Sequence, residues 1–378
     1  MTSITEKNTG ASRAMRHVLV LGTGGTIAGC RREGAAQGYV AGQVGIAALL
    51  GELQGQLPGE LPGELTGGEP GGRPPAALAG LRLSAQQIAQ IDSKDMAWPL
   101  WRVLAQRCMQ ALADDAVDGI VITHGSDTLE ETAFFLHSVL DARKPIVLTC
   151  AMRPADAPAP DGPQNLRDAI IAAAAPGARG VLAACAGRLH GAVEISKVHP
   201  WRLDPFSSGD AGAIAYVHAG ALRRVRAWPA SAVRCPWTRI EQAAALPRVE
   251  IICSHADAGG HLIDLLVRER ERLCGTGGPA GTPAAHAVDG LVIAATGNGT
   301  VHQSIEAAIG RARAAGIAVL RATRCGEAGI AGPRTGQGAQ ADACDGRCAS
   351  ELSPVKARIA LALDLLAAGP GNPENGGS

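Results

Sequence analysis

The run Gly22-Thr23-Gly24-Gly25-Thr26-Ile27-Ala28-Gly29 follows an apolar stretch, Val18 to Leu21. Glycines at the carboxyl end of a strand leave backbone N–H groups open where ligands of α/β sheets collect. The run is neither of two phosphate cradles. A dinucleotide fingerprint needs glycine where Ile27 stands, and a phosphate loop needs Gly-Lys-Ser/Thr. What the turn offers is the Thr26 hydroxyl, a setting for a nucleophile as much as for a binder. A second group lies in ITHGSDTLEETAFFL, Ile122 to Leu136. Here a strand ends in Thr-His-Gly-Ser-Asp and turns directly into a helix. Helix entry there leaves amides near Ser126 and Asp127 facing bound negative charge, either an α-carboxylate or a developing oxyanion. Asp127 is suited to hold a substrate ammonium, and Thr128 and Glu131 have capping-box spacing. Each motif also has a plain structural reading, because Gly-rich strand-to-helix turns are common and Ser and Asp often sit there as caps.

The elements that must position these groups alternate in type. Val18 to Leu21, Gly119 to Thr123 and Pro145 to Thr149 read as short strands, each followed by a loop and an amphipathic stretch. Such alternation predicts a parallel sheet covered by helices. From Val249 a new series begins: VEIICSH, a helix from His261, the strand GLVIAAT, a helix from His302, and the strand IAVLRAT. After an irregular Gly-rich segment from Arg324 to Cys348, PVKARIALALDLLAAG gives a last helix opened by Pro354. The predicted fold is therefore two-domain α/β, with a larger amino-terminal parallel-sheet domain and a smaller carboxyl-terminal one. Residues 1–14 read as a disordered tail, 15–226 as the first domain, 227–248 as a linker and 249–378 as the second domain. Within the first, residues 51–80 form a Pro/Gly-rich insertion of PGEL-like units that is expected to stay on the surface and build no core.

The length, 378 residues, suits two cores rather than one. A formal net charge of zero gives no electrostatic footprint for nucleic acid. No apolar run approaches the length of a membrane helix, and residues 1–14 lack the apolar core of a secretory signal. A cytoplasmic protein with a small neutral or zwitterionic ligand is expected. The ten cysteines are scattered through predicted strands and helices, Cys150, Cys185 and Cys253 among them, and read mostly as buried small hydrophobes. Cys344 and Cys348 are closely spaced, but no second Cys/His pair accompanies them to make a zinc site.

Together, TGGTIAG and THGSDTLEETA resemble the bacterial-type L-asparaginase family, which includes glutaminase-asparaginases. The resemblance continues through AMRPADAPAPDGPQNLRDAI, the GNG of ATGNGT, and SPVKARIALALDLL. It implies an amide hydrolase without metal or organic cofactor. It also implies a homotetramer of intimate dimers, with active sites between the amino-terminal domain of one subunit and the carboxyl-terminal domain of another. Residue by residue, Thr26 matches the threonine that attacks the amide carbon, and Tyr39 the lid tyrosine that helps activate it; a free threonine hydroxyl needs such a partner. Ser126 matches the second catalytic hydroxyl and Lys197 the lysine that supports it. Asp127 matches the aspartate that binds the substrate α-ammonium, and Ser93 the serine that binds the α-carboxylate. His124 reads as a structural, hydrogen-bonding histidine, and Met152 as core.

Two departures stand out. Lys94 replaces the glutamine many family members carry after that serine, bringing positive charge toward the α-group pocket. The acidic residue that the family offers from the neighbouring subunit aligns near Gly338, which has no carboxylate; Glu327, Asp342 and Asp345 are the spatial substitutes. Asn298, in the GNG turn, is the candidate for an intersubunit contact, although such a turn also serves conformation alone. The function implied is release of ammonia from L-asparagine through a threonine acyl-enzyme. A dual glutaminase-asparaginase and a binding homologue that has lost turnover are the alternatives.

Overall fold

The computed structural model describes residues 15–31, 38–54, 80–275, 287–327, 329–330 and 349–369. The first unit runs β1 (Arg16–Gly24), β2 (Cys30–Arg31), β3 (Tyr39–Val40), α1 (Ile46–Gln54), β4 (Leu81–Ile91), α2 (Trp98–Ala113), β5 (Gly119–Thr123), α3 (Leu129–Val139), β6 (Pro145–Thr149), α4 (Gly162–Ala173), β7 (Gly180–Cys185), β8 (Arg188–Gly191), β9 (Ser196–Lys197), β10 (Phe206–Ser207), β11 (Ala215–His218) and β12 (Ala221–Arg224). A short helix, α5 (Trp237–Gln242), precedes the second unit: β13 (Val249–Cys253), α6 (His261–Gly275), β14 (Gly290–Ala295), α7 (Gln303–Ala314), β15 (Ala318–Thr323), β16 (Ala349–Ser350) and α8 (Pro354–Ala368).

The strands GIVIT, PIVLT and GVLAAC are buried along their whole length. Apolar residues at successive positions suit a strand covered on both faces, and parallel pairing demands a crossover element between neighbours. The large sheet has the order β12-β11-β8-β7-β6-β5-β1-β4. Alternate residues divide between two cores. Leu19, Leu21, Ile120, Ile122, Ile146 and Leu148 face α2 and α3, while Val18, Val20, Val121 and Val147 face α1 and α4. The parallel part runs β7-β6-β5-β1-β4, so the chain steps from β1 to β4 on one side and then crosses to β5 on the other. This reversal of winding leaves a crevice beyond the carboxyl ends of β1 and β5.

Three findings correct the sequence expectation. The large sheet is mixed rather than purely parallel: β8, β11 and β12 join it antiparallel. Residues 51–54 close α1, and Leu53 is buried in the core, so the start of the 51–80 segment does build core structure; residues 55–79 lie outside the described residues. Among the described cysteines, Cys108, Cys150, Cys185 and Cys235 are buried, but Cys253, Cys274 and Cys325 are exposed and Cys30 is intermediate. Cys344 and Cys348 lie outside the described residues, and Met152 is only partly buried.

The smaller sheet, β13-β14-β15-β16, is parallel throughout. Its α8 is buried on more than one face. Ile359 and Leu363 enter the core beneath α2 and α3, whereas Ala357 and Leu361 pack on Val249, Val292 and Leu320 of the smaller sheet. The alanine- and leucine-rich text of this helix follows from that shared burial.

Candidate active site

β1 ends in Gly24 and Gly25, both with positive φ, 105° and 80°. A Cβ on Gly24 would stand 2.5 Å from the Ile91 carbonyl oxygen, and one on Gly25 would fall into the backbone of Gly125. Only glycine satisfies both the left-handed backbone and the close approach. The Gly25 amide donates to Ile91 O at 2.8 Å, pinning the turn to the end of β4. Thr26 then opens a single 3-10 turn, Thr26–Ala28, and is 6% exposed. Its Oγ1 lies 2.7 Å from the hydroxyl of Tyr39. Tyr39 sits on β3, paired to β2, with its ring over Gly29, where an added Cβ would meet Cδ2 at 3.0 Å.

The Gly25–Gly125 contact brings the residues preceding Thr26 and Ser126 together, main chain to main chain. Ser126 is 5% exposed and receives a hydrogen bond from Lys197 Nζ at 2.9 Å. The same ammonium lies 2.5 Å from Asp127 Oδ1, whose side chain remains 55% exposed at the mouth. β9 carries Lys197 and is held by β10 through the pair Lys197↔Phe206. The capping box is not formed. Thr128 caps α3 without a side-chain bond, because its hydroxyl donates to Ser93 O at 2.7 Å, and Glu131 faces Arg358 at 3.7 Å. Tying Ser93 to the entry of α3 has drawn that hydroxyl away from its own helix.

Ser93 is buried and so close to Gly125 that a Cβ there would collide with its Oγ. Thr26, Ser93, Ser126 and Asp127 are thus gathered at the ends of β1, β4 and β5, with Tyr39 brought in by β3 and Lys197 by β9. Lys94 behaves differently. Its ammonium is held by Asp95, with Asp92 at 3.9 Å, and its side chain is 61% exposed; the hydrogen bond to Asp95 raises its pKa. His124 is fully buried. Its Nδ1 is 2.7 Å from Gly125 O and its Nε2 is 3.0 Å from Thr132 Oγ1, which also receives Trp101 Nε1–H at 2.9 Å. The Gly125 carbonyl can only accept, so Nδ1 carries the proton, and a neutral ring then leaves Nε2 to accept from the Thr132 hydroxyl. Burial pushes its pKa down to about 4.

Asn298 stands exposed on the β14–α7 turn, between Gly297 and Gly299, both with positive φ. Glu327 is exposed, and its carbonyl packs on Gly209. Gly338, Asp342 and Asp345 lie outside the described residues. Two further charges lie behind Lys197, one buried and one partly buried, and the sequence does not mark either. Lys356, in the first turn of α8, is 1% exposed, and Glu130 of α3 lies 3.8 Å from its ammonium. The signal for Lys356 was a lysine in a helix rich in alanine and leucine, which reads as solvated until its neighbours are known. Among the described residues no group of three or more His, Cys, Asp or Glu side chains is placed to hold a metal ion, and no helix is long and apolar enough to cross a membrane.

A hydroxyl with a phenol beside it, and a second hydroxyl with an ammonium beside it, suit covalent transfer of an acyl group followed by hydrolysis. Comparison with known proteins points to amide hydrolysis. Residues 17–229 match the family model described as asparaginase, N-terminal, and residues 248–374 match the glutaminase/asparaginase C-terminal domain. L-asparaginase 2 of Escherichia coli (strain K12) is 30% identical over 94% of this chain and 90% of that protein. Glutaminase-asparaginase of Pseudomonas fluorescens biotype A is 29% identical over 91% of this chain and 85% of that protein. The crystal structure of a probable cytoplasmic L-asparaginase from Campylobacter jejuni superposes with a TM-score of 0.73 at 28% identity, covering 92% and 94% of the two chains. With both family models matched in order along most of its length, the chain belongs to the asparaginase and glutaminase-asparaginase family of amide hydrolases.

Proposed function

We propose that this chain hydrolyses the side-chain amide of L-asparagine to L-aspartate and ammonia through a threonine acyl-enzyme. Thr26 Oγ1 attacks the amide carbon as Tyr39 draws its proton, an ester forms, the C–N bond breaks and ammonia leaves with a proton. Water then attacks the ester, aided by Ser126 and Lys197, and aspartate departs as Thr26 regains its hydroxyl. Asp127 holds the substrate α-ammonium and Ser93 its α-carboxylate, which excludes amino acids locked in peptide bonds. The observation that carries this reading is the 2.7 Å contact between Thr26 Oγ1 and the Tyr39 hydroxyl. We take residues 15–226 and 249–378 as the two domains, 227–248 as their linker, and a homotetramer as the working form, with Asn298 reaching a neighbouring subunit's site. The eight free thiols among the described residues suit a reducing cytoplasm.

The test is Thr26→Ala, assayed for ammonia from asparagine. Loss on the order of a thousandfold or more is expected for removal of a nucleophile; a near wild-type rate overturns the assignment. A dual glutaminase-asparaginase is the second reading, favoured by the way Asp95 and Asp92 draw the Lys94 ammonium to themselves. The ratio of kcat/KM for asparagine over glutamine, measured also for Lys94→Gln, separates the two.

A further inference from the structure

Lys356 is the costliest residue of α8. It is 1% exposed and lies in the first turn of a helix, the end whose dipole disfavours a cation. Burying an ammonium carries a penalty of several kcal/mol that an apolar side chain of similar volume avoids. Its contacts point to one segment of the first unit. Nζ donates to Val193 O at 2.9 Å and to Ile195 O, the carbonyls of the turn that leads into β9. Its counter-ion is Glu130, whose Oε2 has no hydrogen-bond partner and stands 3.8 Å away. Burial raises the pKa of Glu130, and the neighbouring Lys356, Ser196 and Lys197 favour its charged form against that effect. Lys356 therefore grips, through two carbonyls, the few residues that carry Lys197 to Ser126, and Glu130 balances its charge from the opposite element. Glu130 also belongs to the first turn of α3, whose entry supplies Ser126 and Asp127. α8 is firmly seated in both cores, so the grip has a rigid base.

We propose that the Lys356–Glu130 pair is a positioning device that sets the Lys197 ammonium against Ser126, making α8 of the second unit a determinant of acyl-enzyme breakdown in the first. This rests on the reading of Lys197 and Ser126 as the groups of the second half-reaction. Displacing a catalytic group by about 1 Å costs up to a hundredfold in rate, and loss of either charge frees the turn on that scale.

The kinetic signature is specific. In an acyl-enzyme mechanism kcat/KM reports the steps through acylation, whereas slower deacylation lowers kcat and KM together. With asparagine as the probe, Lys356→Met is expected to lower kcat and KM together by about tenfold, leave kcat/KM within about threefold, and expose a burst of ammonia equal to the enzyme concentration. In a Lys197→Met background the same substitution is expected to change deacylation by less than about twofold, because the pair acts through Lys197. If Lys356→Met does not fold, Glu130→Gln, which keeps the shape and removes the charge, carries the same measurements. Unchanged kcat and KM, equal losses in burst and steady state, or a full multiplicative loss in the Lys197→Met background overturns the proposal. Wild-type enzyme that releases no ammonia from asparagine, or Thr26→Ala that retains the rate, instead strikes the underlying reaction and takes the pair's role in it away as well.

Discussion

Tyr39 and Lys197 face the same physical problem, that an alcohol gives up its proton poorly at neutral pH. Tyr39 stands 2.7 Å from Thr26 Oγ1 and Lys197 2.9 Å from Ser126 Oγ, so each hydroxyl has its own partner. Tyr39→Phe keeps the ring over Gly29 and removes the phenol alone. It is expected to lower kcat for asparagine on the order of a hundredfold, the low end for loss of a general acid–base group, with little change in KM; steady-state kinetics at saturating substrate decide it. An unchanged kcat would mean that the proton leaves Thr26 by another route. His124, one residue before Gly125, has no comparable role. Both ring nitrogens are committed, to Gly125 O and Thr132 Oγ1, and burial holds its pKa at about 4. Its ring resonances are expected to show a neutral Nδ1–H form by NMR down to about pH 4, and titration near 6.5 would contradict the buried hydrogen-bond chain.

At the scale of elements, the turn after β1 works because two backbones touch. Gly25→Ala places a methyl in the backbone of Gly125 on a residue with φ of 80°. With ψ of -175° this backbone lies in a region essentially confined to glycine and costs another residue about 1–3 kcal/mol, and the collision must also push apart the strand ends that carry Thr26 and Ser126. The variant is expected to lose at least about that much stability in urea titration and about a hundredfold in kcat; wild-type kinetics would mean that the turns are not held by this contact. Much of this was legible beforehand. GIVIT and PIVLT announced their strands through apolar runs, and TGGTIAG and THGSD marked the turns that meet at the crevice. The mixed edge was not legible, because β8, β11 and β12 are only four residues each and share no burial pattern, with β8 mostly buried, β11 alternating and β12 mostly exposed. The role of Thr128 was hidden for another reason. Its spacing to Glu131 fits a cap, and only tertiary contact supplies Ser93 O as the better acceptor. Lys356 was illegible because sequence gives a lysine's type and not its surroundings.

For the whole molecule, pH sets a balance among buried groups spread over the first unit. His190 is 3% exposed, with Nδ1 2.8 Å from Ser208 Oγ, and burial, reinforced by Arg188, pushes its pKa down to about 4. A histidine at about 4 when folded and 6.5 when unfolded binds fewer protons in the native state throughout that interval. Its contribution is therefore complete above pH 6.5 and is lost as pH falls toward 4. Asp168, raised to about 6 by burial, and Glu130 and Glu131, also raised by burial, act in the opposite sense, since each takes up a proton in the folded protein before the unfolded one. The acid response of the wild type is a difference of these terms, and a single variant isolates one of them. In His190→Gln the imidazole cannot charge on unfolding, so the stability gap between wild type and variant is expected to narrow by about 2 kcal/mol between pH 7 and pH 5. Urea midpoints at the two pH values measure this directly. A gap that stays constant would mean that His190 titrates alike in both states and that its burial beside Ser208 does not hold it neutral.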